Sequence, residues 1–432
     1  MANWYKYVCA ILFITVANVV QSQYPRVLGD FTDELQMGGI TRSAIVDASL
    51  ELLVIGITFG VLVGIGQYIN MRLGRKFEFM TRRKLFKQFT RLSEEYHSKH
   101  GVGQLLSYVM NDVTSVRESL SQGINQTTNS VIMLVSVIVI MSISSIPAHL
   151  IIACMIPMLA IPIVVVYFGK PIRDRSMKVQ ESLAKMTESA EEQFGGIRVT
   201  KKFAVESIMQ NRFGEKVDQI AASQVRLVRM SSLFQALLPF LGGVSLIIAI
   251  AYGGLLTIQG TITVGQFVSL TLYLRMIVNP LQQIGNVINT MQRSRSALVR
   301  LNNMLSIQPD IRDNEQALPL PIGAADIRIR KLSFSYPGTE QESLHGIDLH
   351  VPAGKTLGII GKTGSGKTTL VKLLLRVYEP PRGTIRIGGQ DVRDTTLESL
   401  RTTIGYVPQD GFLFSTTIRD NIAFSNRRLP ME

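Results

Sequence analysis

Six apolar stretches, each close to the length of a bilayer crossing, constrain this chain more than any other feature. They occupy residues 4–20, 44–69, 130–146, 150–168, 237–258 and 264–284. A helix needs about 20 mostly apolar residues to cross the hydrocarbon core. Two of the stretches, within residues 130–168, are joined only by a short turn around Pro147. Charged residues make up 18% of the chain, well under the roughly 25% of an average soluble protein. Lipid is therefore the expected solvent for a large part of it.

The segments between the stretches alternate sharply in charge. Residues 24–41 carry Asp30, Asp33 and Glu34 against Arg26, whereas residues 70–127 hold 10 Lys and Arg and residues 169–235 hold 12. Positive residues collect on the cytoplasmic side of a membrane protein. Both basic segments are thus expected in the cytoplasm, together with the N- and C-termini. The formal net charge of +13 is explained this way and needs no nucleic acid. Each basic segment mixes apolar and charged residues at helical spacing. At roughly 1.5 Å per residue the two would extend the membrane hairpins by tens of ångströms. Gly101 to Gly103 and Gly195-Gly196 mark breaks or tight packing points within them.

Several local features have plainer readings. Lys6 and the apolar run at 8–20 resemble a signal peptide, but Val20-Gln21-Ser22 is a poor cleavage site, so a first span is expected. Cys9 and Cys154 lie in apolar runs and read as packing residues. Asn125-Gln126-Thr127 fits a glycosylation pattern but falls on the cytoplasmic side. His97 and His100 sit three apart on an exposed arm with no third metal ligand suggested. Arg275 stands about ten residues into the sixth stretch, roughly 15 Å deep. It is a candidate for lining a transport path that attracts anionic or amphiphilic molecules, or else a structural or snorkelling charge.

After Arg300 the composition changes. Residues 306–325, with Pro309, Pro319 and Pro321, read as a linker, and 326–432 as a soluble α/β domain. Strands are expected at 327–336, 344–351, 356–360, 384–387 and 403–407, with helices at 367–378 and 397–401. Gly361-Lys362-Thr363-Gly364-Ser365-Gly366-Lys367-Thr368 fits GxxxxGK[ST] at every position. The apolar run before it and the helix expected after it supply the setting of a phosphate cradle, in which backbone N–H groups and a helix N-terminus face anionic oxygens. Lys367 would neutralise phosphates, the Thr368 hydroxyl would ligate Mg²⁺, and Thr369 joins the same nucleotide-binding set.

Two further signals narrow the class: Phe334-Ser335-Tyr336-Pro337-Gly338 before the loop and Val407-Pro408-Gln409-Asp410 after it. With these residues the chain resembles the ATP-binding cassette exporters, in the fused permease–ATPase half-transporter form of the multidrug and lipid exporter type. The resemblance runs from the first span to the last residue. It implies a six-helix membrane domain over 1–305, the linker 306–325, and the first part of an ATP-binding domain over 326–432. It implies that Tyr336 stacks on adenine and that Gln409 reaches Mg²⁺ and the attacking water. It implies ATP and Mg²⁺ as cofactors, a second half-transporter as partner, and apolar or amphiphilic substrates carried across a bacterial plasma membrane. Short coupling helices are expected at 93–103 and 203–213.

In that family a signature LSGGQ, an apolar strand ending in Asp-Glu and a switch histidine follow the glutamine. None lies between Gln409 and Glu432. Two functions are therefore open: ATP-driven export, or a non-hydrolysing nucleotide-binding or vestigial membrane subunit lacking the hydrolytic carboxylate.

Overall fold

The computed structural model describes residues 4–38, 41–321, 323, 325–409 and 411–424. The chain divides into two compact units. One holds the residues up to Leu85 together with Leu106–Leu305, and the other holds Phe86–Leu105 together with Ser306 onward.

The first unit is helical. Its elements are α1 (Trp4–Gln21), α2 (Tyr24–Gln36), α3 (Arg42–Phe89), α4 (Glu94–Ile143), α5 (Ala148–Gly195), α6 (Ile197–Phe203), α7 (Glu206–Ile258) and α8 (Val264–Ser306); the far ends of α3 and α8 and the start of α4 belong to the second unit. Among the described residues five helices are long and apolar enough to cross a membrane. Helix α8 covers the sixth apolar stretch but carries Arg275, Asn279, Gln282 and Gln283 within it.

Helices α4, α5, α7 and α8 pack through one apolar core containing Val137, Met141, Leu150, Cys154, Leu270 and Ile277, all fully buried. Cys154 is thus a packing residue, as its sequence setting suggested, and its carbonyl accepts a hydrogen bond from the buried Ser245 hydroxyl at 2.6 Å. Helix α1 packs within the bundle, with Ala10, Ile14 and Ala17 buried.

Helix α2 was not foreseen, because the acidic segment 24–41 carries no long apolar run. Its Asp33 accepts from the Gly265 backbone N–H at 2.7 Å and from the Thr263 hydroxyl at 2.5 Å, capping α8. The approach is close: a Cβ on Gly265 would lie 2.0 Å from the Gly29 carbonyl oxygen.

Both basic segments form long helical arms, as expected, but one turn sits elsewhere. The first turn breaks at residues 90–93, resumes at Glu94, and kinks at Gly101, whose φ of 62° and ψ of 151° are non-helical. The second turn is α6, not residues 203–213. Gly196 opens it and Ala204, in the left-handed region at φ 50°, closes it. Most of 203–213 continues α7.

The second unit contains a four-stranded antiparallel sheet in the order β2-β1-β3-β4, formed by β1 (Ile327–Ser335), β2 (Glu342–Val351), β3 (Ile385–Ile387) and β4 (Gln390–Asp391). Helices α9 (Lys367–Leu374), α10 (Leu397–Thr403) and α11 (Ile418–Ile422) accompany it. Ile329, Leu332, Leu373, Ile385 and Leu400 form its core.

Residues 356–360 and 403–407 do not form the strands expected of them. A strand is made by its ladder neighbours, and among the described residues neither run has one. The linker is only partly one: Leu320 is 4% exposed in the core, and Leu318 bridges to Thr395.

Candidate functional site

The loop 361–366 leads into α9, and two glycines determine its path. Gly364 and Gly366 have φ of +85° and +86°, a region open to glycine and costly for other residues. A Cβ on Gly366 would also lie 2.6 Å from the Ser343 carbonyl oxygen and 2.7 Å from the Leu344 side chain. The last glycine is therefore pressed against β2, and this contact sets where α9 begins.

Lys367, the first residue of α9, folds back into the loop. Its ammonium donates to the carbonyls of Gly361 and Lys362, each at 2.9 Å, and lies 3.4 Å from the Ser365 hydroxyl. A single cation thus gathers the loop around itself. The Thr363 and Thr368 side chains are exposed, whereas Thr369 is buried. The arrangement fits a polyphosphate: one ammonium in a glycine-shaped cradle, with the exposed Thr368 hydroxyl beside it at the start of a helix.

Tyr336 sits at the end of β1 and touches this helix. Its hydroxyl is 2.9 Å from the Thr369 hydroxyl, and its ring meets Tyr378 edge-on at 5.0 Å and Phe334 at 5.3 Å. Thr369 therefore holds the tyrosine in place within the protein. Gln409 is exposed and, among the described residues, makes no side-chain hydrogen bond. The structure joins it to neither Thr368 nor Lys367, and the adjacent Asp410 lies outside the described residues.

Three basic residues were missed in the sequence. Arg376 is 2% exposed, and its guanidinium donates to the carbonyls of Val392, Thr395 and Arg312 and to the Glu379 carboxylate at 3.0–3.3 Å. It ties the residues just after α9 to the turn that follows β4 and to the segment before the sheet. Arg401 donates to the carbonyls of Leu375 and Arg376, and burial, then the Arg376 charge, pushes its pKa down.

Lys372, one turn along α9 from Thr368, donates to the Glu94 carboxylate. That hydrogen bond to Glu94 raises the Lys372 pKa, against the opposing effect of burial. No signal in the sequence could have paired them, because a surface lysine on a helix reads as solvated.

Residues 86–105, the turn between two membrane-length helices, belong to this same unit. Besides Glu94, Gln88 donates to the Ile307 carbonyl at 2.6 Å and Ser93 to the Asp310 carboxylate at 3.2 Å. Leu92, Pro309, Ile311 and Val377 line the cleft beside these contacts. His97 and His100 contact the carbonyls of Phe89 and Tyr96, each at 3.0 Å.

Residues 7–281 match the family described as ABC transporter transmembrane region, and residues 344–431 match the family described as ABC transporter. The chain is similar to a probable multidrug resistance ABC transporter ATP-binding/permease protein, YheI, of Bacillus subtilis. The two are 32% identical over 99% of this chain and 72% of that protein. An ATP-dependent lipid A-core flippase of Desulfotalea psychrophila is 33% identical over 87% of this chain and 65% of its own length. Among solved structures, a bacterial Atm1-family ABC exporter with ATP bound aligns with a TM-score of 0.72 at 22% identity. That alignment covers 98% of this chain and 75% of the other, and it shows the shared fold.

Proposed function

Because this chain belongs to the ABC transporter family, we propose that it is one half of a dimeric exporter that moves apolar or amphiphilic molecules across a bacterial plasma membrane at the expense of ATP. The observation that carries this reading is the composition of the second unit. It holds a phosphate-type loop gathered on Lys367 and also a turn between two membrane helices, and the Glu94–Lys372 pair joins that turn to the loop's helix.

In this reading the amides of residues 361–369 and the Lys367 ammonium hold the phosphates of ATP, and Tyr336 receives the adenine on its ring face. The Thr368 hydroxyl and the Gln409 side-chain carbonyl supply oxygen ligands to Mg²⁺. When bound, ATP supplies the anhydride whose cleavage drives the cycle. Gln409 must then move or be moved to the loop. The turn at residues 86–105 feels what happens at α9 through Lys372. Two positions of this turn, each favoured by a different nucleotide state, are what alternating access requires.

The second turn, α6, presents Val199 and Phe203 at 58% and 73% exposure. That apolar surface suits a second half-transporter. The multidrug and lipid A-core names of the relatives support a substrate range of apolar and amphiphilic molecules. The charge pattern of the loops supports cytoplasmic termini. The test is ATP-dependent accumulation of a fluorescent amphiphile in inverted vesicles carrying the chain. Accumulation abolished by Lys367→Ala is expected; accumulation equal in the variant would remove the ATP-driven reading.

A further inference from the structure

Helix α8 carries a polar face that its own unit does not cover. Arg275, Asn279, Gln282, Asn286, Asn289 and Arg293 are spaced four, three, four, three and four apart. With 3.6 residues per turn they fall within an arc of about 80°. The opposite face carries Leu270, Tyr273, Leu274, Ile277 and Leu281, each at most 5% exposed.

Among the described residues none of the six polar side chains makes a hydrogen bond or an ion pair, although five of them are exposed and Gln282 is partly so. Helix α8 contains no Asp or Glu over its whole length. Arg275 therefore has no acidic partner on its own helix.

With α8 read as the sixth span that its apolar stretch at 264–284 suggests, the upper part of this face lies at membrane depth. Arg275 is eleven residues from Val264, about 16 Å along the axis, and Asn286 is about 33 Å along. An arginine near mid-bilayer is too deep for its stem to carry the charge to an interface. Uncovered carboxamides in hydrocarbon are likewise unsatisfied. The face therefore looks onto water or onto another molecule. Direct packing of two copies of the same face would set Arg275 near its own counterpart in a low-dielectric layer, which like charges oppose.

We propose that this face is the headgroup track for an anionic amphiphile, taken from the cytoplasmic leaflet past Arg293, Asn289 and Asn286 and anchored at Arg275. The proposal rests on the exporter reading and narrows its substrate class to molecules with a phosphate or carboxylate headgroup. Guanidinium binds such oxyanions in a planar, two-pronged manner that few other side chains match. The intervening amides both donate and accept, so they replace water around a headgroup in transit without fixing it.

The full chain, reconstituted in phosphatidylcholine vesicles, is probed with trace acyl-spin-labelled phosphatidylglycerol or phosphatidylcholine. The immobilised fraction is read by electron paramagnetic resonance. Because the basic arms also attract anionic lipid, the decisive quantity is the difference between wild type and Arg275→Ala. A several-fold loss of the phosphatidylglycerol preference in Arg275→Ala, with part retained in Arg275→Lys, is expected. Asn279→Ala should lose a smaller share.

Since Arg275 is exposed, both Arg275 variants should elute and resist protease as wild type does, and the lysine variant keeps the test open if the alanine variant misfolds. An unchanged preference in Arg275→Ala overturns the proposal. So does efficient disulfide pairing of two Asn286→Cys chains with no lipid effect, which would make this face a protein contact. Lys367→Ala should leave the lipid preference intact, so failure of ATP-driven transport and failure of the headgroup track give different results.

Discussion

The Lys372 ammonium on the helix that follows the phosphate-type loop donates to the carboxylate of Glu94, 278 residues earlier in the chain. Glu94 is the first residue of α4, in the turn between two membrane-length helices, so a charge pair joins that turn to the helix after the phosphate-type loop. The pair is half-exposed: Glu94 retains 49% of its side-chain surface and Lys372 27%. An exposed pair of this kind contributes about 0.5–1 kcal/mol. Its importance lies in its place, between the helix after the phosphate-type loop and the turn at residues 86–105, and not in its strength.

Charge reversal tests this pair. Glu94→Lys should raise hydrogen exchange at residues 86–105, and the double variant Glu94→Lys with Lys372→Glu should restore much of the protection. Equal exchange in all three forms would mean that the turn is held by Gln88, Ser93 and the apolar cleft alone.

The pair also fixes a pH dependence. Lys372 is raised above its ordinary value of 10.5 by its hydrogen bond to Glu94. Its contribution is fully present below that value and is lost as pH rises through the higher folded pKa. Protection of residues 86–105 should therefore be flat from neutral to mildly alkaline pH and fall only in strong alkali. Lys372→Met should remove the alkaline step.

Gly366 should not tolerate a side chain. Its φ is +86° and an added Cβ would meet the Ser343 carbonyl at 2.6 Å. Strain of this sort costs about 1–3 kcal/mol. Gly366→Ala should weaken nucleotide labelling and make the loop more sensitive to trypsin at Lys362, while Gly358→Ala, which meets nothing within 4 Å, should change little.

Arg376 should behave as a structural rivet. It is almost fully buried and holds three carbonyls and one carboxylate. Removing it leaves the Val392, Thr395 and Arg312 carbonyls without that donor, a loss of about 1–3 kcal/mol, while Glu379 keeps Arg393 at 3.0 Å. Arg376→Met should lower the unfolding temperature of the chain in detergent and expose residues 312–321 to protease. A variant as stable as wild type would contradict the role.

The membrane helices were legible because apolar length and loop charge are local properties. The first turn was legible through its glycines, but the second was misplaced. It closes at Ala204 with φ of 50°, and alanine carries no signal for a left-handed conformation. Thr356 to Ile360 looked like a strand from its β-branched run, yet strand pairing depends on residues far away. The loop itself was readable residue by residue. The bond between Tyr336 and Thr369, the burial of Arg376 and the Glu94–Lys372 pair depend on tertiary contact, so no spacing rule reveals them. The polar face of α8 was in plain view at three- and four-residue spacing, but only Arg275 stood out, because single amides in a long helix read as ordinary.

The central claim is that the loop around Lys367 holds ATP in this chain. Photolabelling of the chain in lipid with Mg²⁺ and 8-azido-ATP tests it most directly, with unlabelled ATP as competitor. The account predicts saturable labelling that ATP displaces, reduced at least tenfold in Lys367→Ala and moderately in Tyr336→Ala. Labelling that ATP does not displace, or that Lys367→Ala leaves unchanged, would contradict it.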